Sequence, residues 1–230
     1  MKKSSLFLPL LLAVTLLLCA CTDAGGEESL ASHIVPYLED MASSSARASS
    51  VPSAGTVENM QYRSDFLGLC FSMDESWSVL SRERIASELG YGADYAAAEM
   101  PDCFSLYDTY VDLWAEKDAG RVRVQIMVEK LPITSSSGEA LGSPAEYMDY
   151  MSLSLPETYR SFGLSVEHGL RGSRTVAGMP FECYSCFTPE LNRMTQFMMT
   201  SEKNSYFLTV YITCTGADQT DEVLDLFTEY

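Results

Sequence analysis

The chain has 230 residues, 15 basic against 32 acidic, a formal charge of −17, and is 47% hydrophobic and 11% aromatic. That is ample material for one core of ordinary domain size. So acidic a surface repels phosphate backbones and anionic headgroups, which argues against nucleic-acid binding and electrostatic membrane adhesion.

Lys2 and Lys3 precede an apolar run over residues 6–18, which ends in Leu18-Cys19-Ala20-Cys21. A positive flank, a short apolar core and a small residue before a cysteine mark a secretory signal over residues 1–20. The run is too short, and is interrupted by Pro9, to read as a membrane-spanning helix. The tetrapeptide resembles the lipobox of bacterial lipoproteins, whose last cysteine receives a diacylglyceryl group before the signal is cut. The resemblance implies that acylated Cys21 anchors the chain to the lipid bilayer on the outer, extracytoplasmic face of the cell membrane. Two acyl chains anchor stably without a basic patch. Cleavage removes two lysines and no acid, leaving −19.

Residues 21–61 read as a tether. The stretch 22–28 is small and acidic and 42–55 is Ser/Ala-rich, and both bury too little apolar surface to offset their ordering entropy. As a flexible coil this segment would hold the domain on the order of 35 Å from its anchor. Leu30, Ile34, Tyr37, Leu38 and Met41 recur at helical spacings within it, against Pro36.

The domain is placed at residues 62–230. Leu67, Leu69 and Phe71 alternate onto one face, and residues 77–80 form a strand. Ser81 caps a helix with Ile85 and Leu89 four apart, ended by Gly90. A second short helix over 94–100 is expected to stop at Pro101, followed by a strand over 104–114. Residues 121–129 alternate most clearly: Val122, Val124, Ile126 and Val128 on one face, Arg121, Arg123 and Gln125 on the other. Ser143-Pro144 opens a helix carrying Met148, Met151 and Leu155 on one side, and Pro156 is expected to kink or split it. Strands follow over 164–176, 181–187, 194–200 and 206–214. The last is apolar on both faces, as a central strand with a layer on each side would be. Thr220 begins a final helix with Val223, Leu224 and Phe227 as its buried stripe. The order implies an α+β domain, an antiparallel β-sheet flanked by helices on both faces.

Tyr62, Leu67-Gly68-Leu69, Phe71 and Trp77 resemble the opening common to bacterial relatives of the photosystem II extrinsic P protein. The segment from Ala177-Gly178 through Cys183-Tyr184 and Gln196 to Tyr206-Phe207-Leu208-Thr209 and the terminal helix resembles the family's close. The same α/β/α sandwich occurs in the Ran-binding Mog family, so the resemblance implies that fold for residues 61–230. Asp74-Glu75-Ser76-Trp77 departs from the family's Pro-x-Gly-Trp turn.

Five cysteines remain beyond the signal and Cys21: Cys70, Cys103, Cys183, Cys186 and Cys214. The number is odd, so at least one is unpaired in a monomer. Buried thiols are the favoured state, with Cys183–Cys214 as a candidate disulfide. Cys183-Tyr184-Ser185-Cys186 has C-x-x-C spacing but sits in a strand pattern, which sends the two sulfurs to opposite faces. His168 neighbours no nucleophile or metal-ligand motif. Glu157, Glu167 and Glu190, and Asp108 with Asp112, lack ligand spacing and read as solvated acids. Met194, Met198 and Met199 read as core, like Trp77 and Trp114. No cofactor, metal or catalytic residue is assigned. The expected function is a non-enzymatic binding or accessory module of the envelope that contacts another envelope protein or a small ligand. The alternatives are a carboxylate-dependent extracytoplasmic hydrolase and a solute-binding lipoprotein.

Overall fold

The computed structural model describes residues 52–230. The signal, Cys21 and the helical pattern around Ile34 lie outside the described residues. Ordered structure begins ahead of residue 62, because β1 (Thr56–Glu58) already pairs antiparallel with β2 (Gln61–Ser64). Asn59 and Met60 turn between them with positive φ, the twist that suits a tight hairpin. β3 (Leu69–Ser72) follows, and the order of this small sheet is β1-β2-β3-β13, with β13 formed by Phe227–Glu229.

A second, seven-stranded sheet runs β4-β5-β6-β12-β11-β10-β9, every neighbouring pair antiparallel. Its strands are β4 (Trp77–Val79), β5 (Thr109–Lys117), β6 (Val122–Lys130), β9 (Glu167–Val176), β10 (Met179–Thr188), β11 (Met194–Lys203) and β12 (Tyr206–Thr215). β12 is the middle strand, and its residues 207–214 are buried on both faces, as its apolar composition required. A short pair, β7 (Ile133–Thr134) and β8 (Ala140–Leu141), stands apart.

Three short helices join β4 to β5: α1 (Arg82–Glu88), α2 (Ala93–Ala97) and α3 (Met100–Leu106). The Ser81 hydroxyl accepts from the Arg84 N–H at the start of α1. Pro101 opens α3 instead of ending α2, since a missing N–H costs nothing in a first turn. Phe104 is therefore helical, and β5 starts at Thr109 rather than at residue 104. Its ring meets Tyr206 of β12 at 5.1 Å.

The long helix α4 (Pro144–Ser161) carries a complete capping box between Ser143 and Glu146. Pro156 neither splits nor ends it. Met151, Leu155 and Tyr159 are all fully buried on either side of that proline, and their packing offsets a cost of about 3 kcal/mol. The helix lies along β9–β11, and its Tyr147 ring stacks on Phe207 of β12 at 5.5 Å. The terminal helix α5 (Thr220–Leu224) is shorter than expected. Phe227 belongs instead to β13, paired with Phe71 in register and stacked on it at 4.7 Å.

Strand β9 closes one edge of the large sheet with nine of its ten residues exposed. Its arginines turn back onto the body: Arg171 to Asp149 at 2.9 Å and Arg174 to Asp221 at 2.6 Å. A register shift in its pairing with β10 and the left-handed φ of His168 further interrupt the edge, as discourages uncontrolled strand addition.

Ser143→Ala should lower the unfolding free energy by about 1 kcal/mol through loss of the capping box. Leu153→Ala on the exposed side of the same helix should leave it within about 0.5 kcal/mol. Urea midpoints of the two variants check the pair.

Candidate functional site

The face of β6 that carries Arg123 and Gln125 is not a solvent face. Alternation along this strand and its partner places Gln125 opposite Tyr211 and Glu129 opposite Phe207, on the side where α4 lies. Gln125 and Glu129 are buried at 1% and 0% exposure. Glu129 Oε2 accepts from the Thr209 hydroxyl at 3.0 Å, and that hydroxyl pairs with Thr200 at 2.7 Å. Tyr147 of α4 stands beside the carboxylate, and its hydroxyl is 3.3 Å from that of Tyr211. Further along, Tyr159 of α4 donates to Gln196 Oε1 at 2.7 Å. A polar seam thus runs between the long helix and the sheet. Several of its buried atoms lack a hydrogen-bond partner: Glu129 Oε1, Thr109 Oγ1, Gln125 Nε2, Gln196 Nε2 and Thr188 Oγ1.

Among the described residues no cation answers Glu129. Burial pushes its carboxyl up to about 7, and the Thr209 bond and the adjacent Tyr147 hydroxyl recover only part of the cost of its charge. No spacing pattern singles this residue out in the sequence. The available clue was that β12, buried on both faces, must press an adjoining strand into the same covered layer.

A second raised acid sits at the bulge of β5, where pairing with β6 shifts between Val111 and Leu113. Asp112 is half-buried, and its carboxylate accepts from the Tyr62 hydroxyl at 2.6 Å and from the Gly55 N–H at 3.0 and 3.1 Å. A β-carbon on Gly55 would overlap the Tyr62 ring, so glycine is required for this approach. Nearby, the Arg82 guanidinium donates to the carbonyls of Val111 and Tyr95, at 2.8 and 3.0 Å, and covers the Tyr110 ring at 4.1 Å. Burial outweighs the bonds to Asp112 and the field of Arg82, and pushes the carboxyl up to about 6. Asp108, grouped with Asp112 in sequence, shares none of these partners. Glu157, Glu167 and Glu190 are exposed and come from separate elements. Glu190 is held below the ordinary carboxylate range, chiefly by the Ser165 hydroxyl.

The five described cysteines are free thiols, all buried. The candidate Cys183–Cys214 disulfide is not formed, and the register explains why. Cys183 pairs with Met199 across β11, and Met199 with Val210, four residues from Cys214. Two strand spacings and four residues of rise put the two Cα atoms about 16 Å apart, against the ~7 Å limit for a bridge. Cys183 and Cys186 fall on opposite faces of β10 by simple alternation. Burial raises their thiols to about 11 and about 12, far from the thiolate character of redox cysteines. His168 is exposed on β9, 3.9 Å from Glu167. Met194, Met198, Met199, Trp77 and Trp114 are core residues. Among the described residues no helix is long and apolar enough to cross a membrane, and no three His, Cys, Asp or Glu side chains gather as metal ligands would.

No protein-family model matches the chain, and no curated protein matches it. Among solved structures it is similar to the solution structure of cyanobacterial PsbP (CyanoP) from Synechocystis sp. PCC 6803. The two are 12% identical over 81% of this chain and 98% of that one, with a TM-score of 0.44. Nothing about task or partner passes across a likeness of that depth.

Both raised carboxyls bind a proton more readily in the folded than in the unfolded chain, where they titrate near 4. Stability is therefore gained as pH falls from about 7 toward 4.5 and lost as pH rises, by a few kcal/mol at most. Acids with lowered values, such as Asp74 and Glu190, act in the opposite sense and only below that window. Urea midpoints should be higher at pH 5 than at pH 8, and Asp112→Asn should flatten the part of the curve between pH 4 and 6. Native alkylation should leave Cys70, Cys103, Cys183, Cys186 and Cys214 unmodified, whereas alkylation in denaturant without reductant should modify all five.

Proposed function

We propose that the chain is a lipoprotein anchored through Cys21 on the outer face of the cell membrane. Its folded domain would serve as a non-enzymatic binding or accessory module for another envelope protein or a small ligand. The observation that carries the anchoring is the run from Lys2 through the apolar core to Leu18-Cys19-Ala20-Cys21. With −19 on the cleaved chain, attachment through headgroup charge is disfavoured, so the lipid carries it. We further infer that the small sheet and α1–α3 stand in for one helical layer of an α/β/α sandwich and α4 for the other. Contacts of Phe104 with Tyr206 and of Phe71 with Trp77, against those of Tyr147 with Phe207, support that inference.

The accessory reading is preferred to a hydrolase because the two carboxyls with raised values do not converge. Glu129 is closed off beneath α4, and Asp112 is engaged by Tyr62 and Gly55. A glycosidase pair needs both groups flanking one bond, at most about 9.5 Å apart and open to substrate. One core also lacks the two lobes with which solute-binding proteins close on a ligand.

Radiolabelled palmitate should be incorporated into the full-length chain and not into Cys21→Ala. Crosslinking in intact membranes should then recover a stoichiometric partner with the wild type and lose it with that variant. Absence of label in the wild type would remove the anchor. A labelled protein without a partner would leave the small-ligand form of the module, tested by ligand-induced shifts in melting temperature.

A further inference from the structure

The environment of Glu129 is one-sided. Among the described residues, the groups that face it are Thr109 of β5, with Asp108 just ahead of it, Thr209 and Tyr211 of β12, Thr200 of β11 and Tyr147 of α4. None is a cation. Lys130 and Lys203 flank Tyr206 in register, on the opposite face of the sheet. Arg123 shares the face of Glu129 but lies six residues along β6, held by Glu116 at 3.1 Å. One carboxylate oxygen is engaged by Thr209 and the other is without a partner, and so is the Thr109 hydroxyl directly across the strand pair. No hydrogen bond joins these two atoms, and a proton on the carboxyl removes the charge that its surroundings do not balance. An ionised carboxylate in the same place is a buried charge with no counterpart, and the element that can move to admit water is the helix above it.

We propose that Glu129 is a proton-operated latch for α4: the long helix docks over the neutral carboxyl and loosens from the sheet when the carboxyl ionises. Raised titration through burial places the transition within the neutral range. Loosening would uncover Met148, Met151 and Leu155, an apolar and adaptable surface that the docked form conceals. The docked state then binds one proton more than the loosened one, and a rise in pH shifts the population toward the loosened state. The latch does not depend on the partner or ligand of the preceding reading.

Hydrogen exchange of the full-length protein in detergent, resolved by peptide and corrected for intrinsic rates, tests the latch. Between pH 5.5 and 8.5, residues 144–161 should lose protection by about tenfold to thirtyfold, as follows from a carboxyl near 7 when docked and near 4.5 when free. Peptides from β11 and β12 should change far less. Glu129→Gln should hold the helix protected at both values, and Asp112→Asn should leave its response unchanged. Glu129→Met, which removes the charge without adding an amide, should also hold the helix protected at both values and serves if Glu129→Gln does not fold. Helix protection that is independent of pH in the wild type would overturn the latch. So would a response that persists in Glu129→Gln, one that follows Asp112→Asn, or one shared equally by the central strands.

Discussion

Burial of β12 on both faces is the constraint from which the rest of the molecule follows. A strand in the middle of a seven-stranded antiparallel sheet, with Phe207–Cys214 all shielded, needs cover on each side. On one side Tyr206 is closed by Phe66 and Phe104, and the small sheet is tied on beside them through Phe71 and Trp77. On the other the long helix lies down, with Tyr147 against Phe207 and Tyr211. Once both covers are in place, every polar side chain between them has to find its partner inside the protein. Thr209, Thr200, Tyr211 and Gln196 do so in part. Glu129 is where the requirement is met least well.

That shortfall separates two kinds of polar contact in the fold. The ties of Arg171 to Asp149 and Arg174 to Asp221 are exposed, and such pairs contribute little to stability. They shape the edge strand instead. The seam under α4 lies where the local dielectric is low, so each partner gained or lost counts for more. Asp112 is intermediate. Its carboxylate holds the leading segment at Gly55 onto the large sheet, and Arg82 nearby moderates the cost of its charge. The two raised acids therefore govern different joints, one at the start of the domain and one at its longest helix.

Alternation was the most legible signal. It located the long strands except at the start of β5, where Phe104 is helical, because a period of two survives most details of packing, and the unbroken apolar run of β12 put that strand in the centre. Prolines were less legible. Pro101 and Pro156 disfavour helix by local rules alone, yet Pro101 fits a first turn and Pro156 is spanned by the buried stripe Met151, Leu155 and Tyr159. Phe227 continued a helical stripe by spacing but was claimed by a long-range pairing with Phe71 that no local pattern contains. The candidate disulfide failed for a related reason: alternation tells which face a cysteine takes, not how many strands lie between two of them. Glu129 was hidden by the same limit, since an acid ending an alternating strand looks solvated until the opposite layer is known.

Local charge modifies what burial does at the two acids, and in opposite senses. At Glu129 the neighbouring Asp108 adds to the rise, whereas at Asp112 the Arg82 guanidinium subtracts from it. Exposed carboxylates avoid the cost of burial through hydration and local donors, as Glu190 does through Ser165. Glu129 and Asp112 do not avoid it, and the few donors that reach them do not restore an ordinary acidity. A domain built this way couples proton uptake to folding at its longest helix and at its leading segment, the two places where an acid has been carried out of water.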